Sequence, residues 1–195
     1  MFIELTDHLR CPEDHEESFL VLLPDRLDGR SVKQGQLGCP VCGRTFALEE
    51  GVVDFGGAPQ GEDAPTALSA EGVVALGGVT GPGGYFVLVG SPGGRWRQLS
   101  EQLPGVALVA VNPPADVGDE AGISVLRGGR LPLKSRSMRG VVLGRGYAAA
   151  EGWVRDAARV TLPGLRIVGE GGTPSPDSIE LLASAEGVWV GTPRR

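Results

Sequence analysis

The segment Tyr85-Phe86-Val87-Leu88-Val89-Gly90-Ser91-Pro92-Gly93-Gly94 runs from five consecutive apolar residues into a glycine-rich turn. Five such residues bounded by turn signals suit a strand buried on both faces, the type found in parallel sheets. On its C-terminal side Arg95 to Leu103 reads as a short helix, and on its N-terminal side Thr66 to Leu76 carries apolar residues at helical spacing (Ala67, Leu68, Val73, Leu76). Further strands are predicted at Val106 to Val111, Ile123 to Leu126, Gly140 to Leu143, Leu165 to Val168 and Gly187 to Val190, with helices at Ala148 to Val160 and Ser178 to Ala185. Apolar strands at this spacing with intervening helices predict an α/β domain built on a doubly wound, mostly parallel sheet. Gly72 to Gly94 is 23 residues without a charge, but Gly81-Pro82-Gly83-Gly84 breaks it, so no membrane span is expected.

Chemistry and charge change near residue 57. All three cysteines and both histidines lie before it, as do 11 acidic but only 5 basic residues, whereas residues 57–195 hold 13 of each. The expected division is a small module at 1–57, a Gly/Pro-punctuated linker at 58–65 and an α/β domain at 66–195. In the small module, Cys11-Pro12-Glu13-Asp14-His15 and Cys39-Pro40-Val41-Cys42-Gly43 present two ligand pairs separated by 23 residues. Two turns that each supply two N or S donors can close a tetrahedral Zn²⁺ shell and leave no catalytic opening. Cys11, His15, Cys39 and Cys42 are therefore the expected structural zinc ligands, with His8 or Asp14 able to replace His15. Phe19 to Leu23 reads as a buried strand, and Thr45 to Leu48 with Gly51 to Phe55 as a hairpin.

Composition narrows the class. Of 195 residues 41% are hydrophobic and 22% charged, so a core can form; Gly (32) and Pro (15) stop short of low complexity. Three cysteines make no disulfide framework, and Met1-Phe2-Ile3-Glu4 is not a secretory leader, so a soluble, cytoplasmic protein is expected. There is no Walker Gly-x4-Gly-Lys, and Ser91 lacks a nucleophile elbow because Val89 stands in the first glycine's place.

Two resemblances sharpen these expectations. Leu5-Thr6-Asp7-His8-Leu9-Arg10-Cys11-Pro12, together with Cys39-Pro40-Val41-Cys42-Gly43-Arg44-Thr45-Phe46 and Gly51-Val52-Val53, resembles the zinc-ribbon-like activator subunit of tRNA and translation-factor methyltransferases. That family usually has Cys-x2-Cys at the first knuckle, where this chain has Cys11-x3-His15. The second part looks like a class I S-adenosylmethionine-dependent methyltransferase domain. The resemblance rests on the order of the glycine turn, the strand Val106 to Val111, the turn Leu131-Pro132-Leu133 and the exit Ala157 to Leu165.

The second resemblance implies cofactor contacts at Gly90, Gly93, Gly94 and Asn112. It also implies an antiparallel pair of strands closing the sheet, for which the sequence leaves room only at Val188-Trp189-Val190. The family's acidic positions fall here on Leu88, Asn112, Arg127 and Arg139, and Pro92 replaces a loop glycine. S-adenosylmethionine is cationic at its sulfonium and ammonium groups, so arginine in place of carboxylate disfavours it.

Together these readings predict a non-catalytic protein in which a structural zinc ribbon is fused to a degenerate methyltransferase-like domain. It would act as an activator, scaffold or partner-binding subunit, with S-adenosylmethionine not expected as cofactor. The expected partner is a methyltransferase or another translation- or RNA-related enzyme, or a second copy across the sheet edge near Trp189. Two alternatives remain: an active methyltransferase with an atypical pocket, or an RNA or anionic-ligand binder. The latter would use Arg127, Arg130, Lys134, Arg136, Arg139 and Arg145, six cations in a stretch without an acid.

Overall fold

A computed structural model describes residues 1–57, 65–174 and 177–194; the expected linker, apart from Pro65, lies outside the described residues. Eleven strands form one sheet: β1 (Val21–Asp28), β2 (Ser31–Gly38), β3 (Thr45–Glu49), β4 (Val52–Asp54), β5 (Tyr85–Val89), β6 (Ala107–Val111), β7 (Ile123–Arg127), β8 (Gly140–Leu143), β9 (Ile167–Glu170), β10 (Ile179–Ala185) and β11 (Val188–Pro193). Among the described residues four α-helices accompany them: α1 (Ala70–Gly77), α2 (Trp96–Gln102), α3 (Arg145–Ala148) and α4 (Glu151–Val160). The strand order is β1-β2-β3-β4-β7-β6-β5-β8-β9-β11-β10. From β4 to β9 every neighbouring pair is parallel, and both ends of the sheet are antiparallel.

The expected α/β architecture, a mostly parallel sheet with helices packed on both faces, is therefore present. From β5 the chain moves outward through β6 and β7, then crosses back to β8 on the other side, so the order reverses between β5 and β8. In open α/β sheets the crevice at the carboxyl ends of such strands is where ligands bind.

Alternation along the strands separates two cores. Phe86, Leu88, Leu108 and Ala110 pack with Val73 of α1 and with Trp96 and Leu99 of α2. Val87, Val89, Val109 and Val111 face the other way, toward Trp153, Val154 and Ala157 of α4. Leu5, Leu9, Leu37 and Leu48 of the N-terminal part belong to that same second core. Helix α1 starts where the Ser69 hydroxyl accepts from the Gly72 N–H and ends at Gly78 in the left-handed region. Its approach is fixed by Glu170 at the end of β9, whose Oε1 accepts from Thr66 Oγ1, Ala67 N and Leu68 N at 2.8, 2.8 and 3.0 Å.

Three expectations are corrected. Residues 178–185 are not a helix: Ile179–Ala185 is strand β10, hydrogen-bonded to β11. Its sequence mixes apolar and polar residues without a clear period, and the pairing partner decides its state. The antiparallel closing pair is thus complete, and Trp189 is inside it, on a strand flanked by β9 and β10. Phe19 to Leu23 does not form a buried strand. Strand β1 begins at Val21 on the sheet edge with most of its side chains exposed, and within the stretch only Leu20 is fully buried. Finally, the single helix read at 148–160 is interrupted, because Ala150 is extended (ψ 112°) between α3 and α4. The break lets Tyr147 and Trp153 meet edge to face, with ring centroids 4.8 Å apart. The hairpin read at 45–55 is present as β3 and β4.

Candidate metal cluster and the crevice at the strand ends

Cys11, His15, Cys39 and Cys42 converge so that one donor atom from each lies within 4.8 Å of the other three. The second knuckle is a tight turn in which Gly43 N donates to Cys39 O at 3.0 Å and Cys39 N to Arg44 O at 2.8 Å. The first is clamped by Cys11 N donating to Ser18 O at 3.0 Å and by the Arg10–Phe19 bridge. Cys11 Sγ stands 3.7 Å from Cys42 Sγ, and Cys39 Sγ 3.5 Å from His15 Nε2. Tetrahedral zinc with Zn–S of about 2.3 Å and Zn–N of about 2.0–2.1 Å has S···S edges of about 3.8 Å and S···N edges of about 3.5 Å. The cluster fits that ion.

The cluster is electrostatically unequal. Although burial opposes it, the backbone N–H groups of Cys42 and Val41 pull the Cys39 thiol down to about 6. Burial first, then crowding by the other two thiols, pushes Cys11 up to about 12. A divalent cation would offset the burial and crowding that keep the Cys11 thiol protonated. On His15, Nδ1 is engaged by Glu16 O at 2.6 Å, leaving Nε2 to face the sulfurs. His8 is elsewhere, its ring 4.7 Å from that of Tyr85, and Asp14 is exposed outside the cluster.

The cluster sits beside a seam between the N-terminal strands and the α/β part. Strand β4 pairs in parallel with β7, and Phe55 N continues the ladder to Arg127 O at 2.8 Å. Further along, Arg10 N donates to Pro132 O and Lys134 N to His8 O, both at 2.8 Å, so Leu131-Pro132-Leu133 runs against the segment that leads into Cys11. Glu17 accepts from Ser135 N and Oγ at 3.1 and 2.5 Å and lies 3.4 Å from Arg159 NH1. Although burial works against it, these donors and the two arginines Arg159 and Arg10 hold the Glu17 carboxyl below its usual value. Asp119, in the β6–β7 connection, is ion-paired with Lys33 and with the Met1 ammonium group.

At the carboxyl ends of the parallel strands, the crevice is occupied by the chain itself. Gly90 is in the left-handed region (φ 74°), and a Cβ there would stand 2.5 Å from the Tyr147 ring. At Gly93 a Cβ would meet Pro113 at 2.8 Å, and at Gly94 it would meet Pro114 at 3.7 Å. Gly90 and Gly93 thus admit neighbouring side chains, where a nucleotide-binding loop would use the same freedom to admit a ligand, whereas at Gly94 a side chain would make only ordinary contact. Asn112 is left-handed as well (φ 49°), and its amide is spent on Gly128: Nδ2 donates to Gly128 O at 2.8 Å and Oδ1 accepts from Gly128 N at 2.9 Å. Beside this a cavity of about 330 Å³ remains, lined in part by Ser91, Gly94, Arg95 and Pro114.

The six cations of residues 127–145 do not form one surface. Arg139 precedes β8 and Arg145 comes after it, so the strand's length separates them. Arg139 donates to the carbonyls of Thr80, Gly81, Pro82 and Gly83 at 2.6–3.2 Å and fixes the loop before β5. Arg130 pairs with Asp156 at 3.5 Å and donates to Pro12 O at 3.0 Å. Arg127, Lys134, Arg136 and Arg145 are exposed. The seam residues Glu17, Asp156 and Arg159 are invisible to sequence reasoning, because isolated charges carry no motif. Tyr147 is equally silent in the sequence; the two prolines after Asn112 are the one visible sign of a filled crevice.

No known protein family and no curated protein matches the chain. Among solved structures, similarity is found to an S-adenosyl-L-methionine-dependent methyltransferase of Methanococcus maripaludis described as putative (15% identity, 65% of this chain and 84% of that one, TM-score 0.47). It is found also to the complex between the Haloferax volcanii Trm112 methyltransferase activator and a methyltransferase (22% identity, 51% and 49%, TM-score 0.43). A third similarity is to a methyltransferase from an antibiotic biosynthesis pathway of Anabaena variabilis (18%, 51% and 43%, TM-score 0.42). The chain spans less than half the length of that Anabaena structure.

Proposed function

We propose that this chain is an activator-like metal ribbon (residues 1–57) and a methyltransferase-like domain (residues 66–195) docked on each other in cis, working as a non-catalytic, partner-binding subunit. The observation that carries this reading is the occupied crevice. Tyr147 covers Gly90, Pro113 fills the space beside Gly93, and the Asn112 amide is committed to Gly128. None of these groups is free to hold a ribose or a methionine carboxylate, and Arg95 beside the remaining cavity disfavours a sulfonium.

The role of the ribbon is argued from β4. It covers the edge of β7 that would otherwise present unpaired N–H and C=O groups, and a structural Zn²⁺ held by Cys11, His15, Cys39 and Cys42 would supply much of the ribbon's folding free energy. A trans-acting activator subunit, such as the one named in the Haloferax complex, would here be replaced by a covalent one. The remaining partner, a methyltransferase or another RNA-related enzyme, would bind elsewhere on the surface.

Calorimetry of S-adenosylmethionine against the zinc-loaded chain tests the closed crevice. The expected result is no saturable heat below about 1 mM, the concentration that corresponds to only about −4 kcal/mol. Stoichiometric binding at micromolar concentration would establish the enzyme reading instead.

A further inference from the structure

A groove of about 530 Å³ lies at the opposite end of the sheet from the crevice. Its wall is assembled from chain ends that the topology brings to one place. Ser135 and Arg136 precede β8, Thr161 and Pro163 precede β9, Ser178 precedes β10, and Arg194 comes after the antiparallel β11. Arg155 and Arg159 project into it from α4. Among the described residues, four arginines and three hydroxyl residues thus line the groove, and no acidic residue does.

The four guanidinium groups are not equivalent. Arg159 is fixed by Asp156 and by the carbonyls of Leu131 and Leu133 at 2.8 and 2.7 Å, and Arg155 shares Glu151 at 2.6 Å. Arg136 and Arg194 are exposed, and their guanidinium groups have no hydrogen-bond or ion-pair partner among the described residues. Arg136 is also held in the left-handed region (φ 50°), with its N–H bonded to Arg159 O and the next N–H to Val160 O at 2.8 and 2.9 Å. Strained backbone persists only where its surroundings impose it. Here the end of α4 does so, and the result places a free guanidinium beside an immobilised one.

We propose that this groove binds the phosphate or diphosphate group of a small phosphorylated molecule. Planar guanidinium forks match phosphate oxygens, the adjacent hydroxyl of Ser178 supplies a neutral donor, and the guanidinium groups of Arg136 and Arg194, which no carboxylate pairs, are relieved by an anion. The volume suits a small ligand, and no aromatic residue lines the groove to stack a nucleobase, which favours this occupant over an RNA strand.

The test is calorimetry of the full zinc-loaded chain with pyrophosphate and with inorganic phosphate at low ionic strength, in the parent and in Arg136→Ser/Arg194→Ser. One-to-one saturable binding of pyrophosphate, tighter than that of phosphate and weakened at least about tenfold in the double variant, is the expected result. Both side chains are exposed, and Arg194→Ser alone provides a second variant should the double one fold poorly. Absence of saturable binding, or binding that both variants leave unchanged, overturns the proposal. A single-stranded RNA lacking terminal phosphates that displaces pyrophosphate with equal affinity overturns it in favour of RNA.

Discussion

Replacing Asn112 tests whether the crevice is locked by its own side chains. In Asn112→Ala two side-chain hydrogen bonds to Gly128 disappear, each worth about 0.5–1.5 kcal/mol. The alanine must also hold φ 49°, a left-handed conformation that costs an ordinary residue roughly 1–2 kcal/mol. The two effects together amount to about 2–5 kcal/mol. Asn112→Gly loses the same bonds without the conformational cost and should be the milder variant by about 1 kcal/mol. Asn112→Asp restores the carboxylate that the methyltransferase resemblance calls for, keeps the bond from Gly128 N, and sets its second oxygen against the Gly128 carbonyl. It should resemble Ala in stability and still show no S-adenosylmethionine binding. Urea unfolding gives the free energies. In thermal melts about 1 kcal/mol corresponds to roughly 2–4 °C for a chain of this size. If Asn112→Ala or Asn112→Gly unfolds at the wild-type midpoint, the amide does not lock the crevice.

Three further outcomes are expected. Purified protein should carry one equivalent of zinc by elemental analysis, and Cys39→Ser or His15→Ala should lower that stoichiometry and the melting temperature together; full occupancy in both variants would remove these residues from the site. Glu170→Ala strands three donors at the entry to α1 and should cost about 3–5 kcal/mol in urea unfolding, against about 1–2 for Glu170→Gln, which retains an acceptor; equal values would show that the carboxylate is incidental. Burial first, then Lys134, lowers the His8 pKa below its ordinary 6.5, so protonation is harder in the folded state. Stability should consequently fall as pH drops from about 6.5 through the lowered value, and His8→Leu should remove that part of the slope in melts between about pH 5 and 7.5; parallel curves would contradict it.

How much of this was legible depended on whether the signal was local. The strand Tyr85 to Val89 and its glycine turn could be read because a buried parallel strand is continuously apolar, and the cluster could be read because donor spacing encodes it. Residues 179–185 misled because a strand lying against one neighbour at the end of a sheet has little pattern of its own, and β11 alone makes it extended. The cations of 127–145 are consecutive in sequence but separated by β8 in space. Arg136 instead meets Arg155, Arg159 and Arg194, a grouping set by strand order. The crevice was half legible: missing carboxylates could be counted, whereas Tyr147 reaches Gly90 only because the helix breaks at Ala150.

The central claim, that ribbon and methyltransferase-like sheet form one assembly in cis, is tested most directly by amide hydrogen exchange with and without a strong zinc chelator. Strand β4 shields β7, and the segment entering Cys11 shields residues 131–135, so both act as sensors of the ribbon. Metal removal should accelerate exchange at Val52 to Phe55 and, in step with it, at Ile123 to Arg127 and Leu131 to Ser135, while Phe86 to Val89 in the centre of the sheet stay protected. Fast exchange confined to residues 1–57, with β7 and residues 131–135 unchanged, would contradict the account.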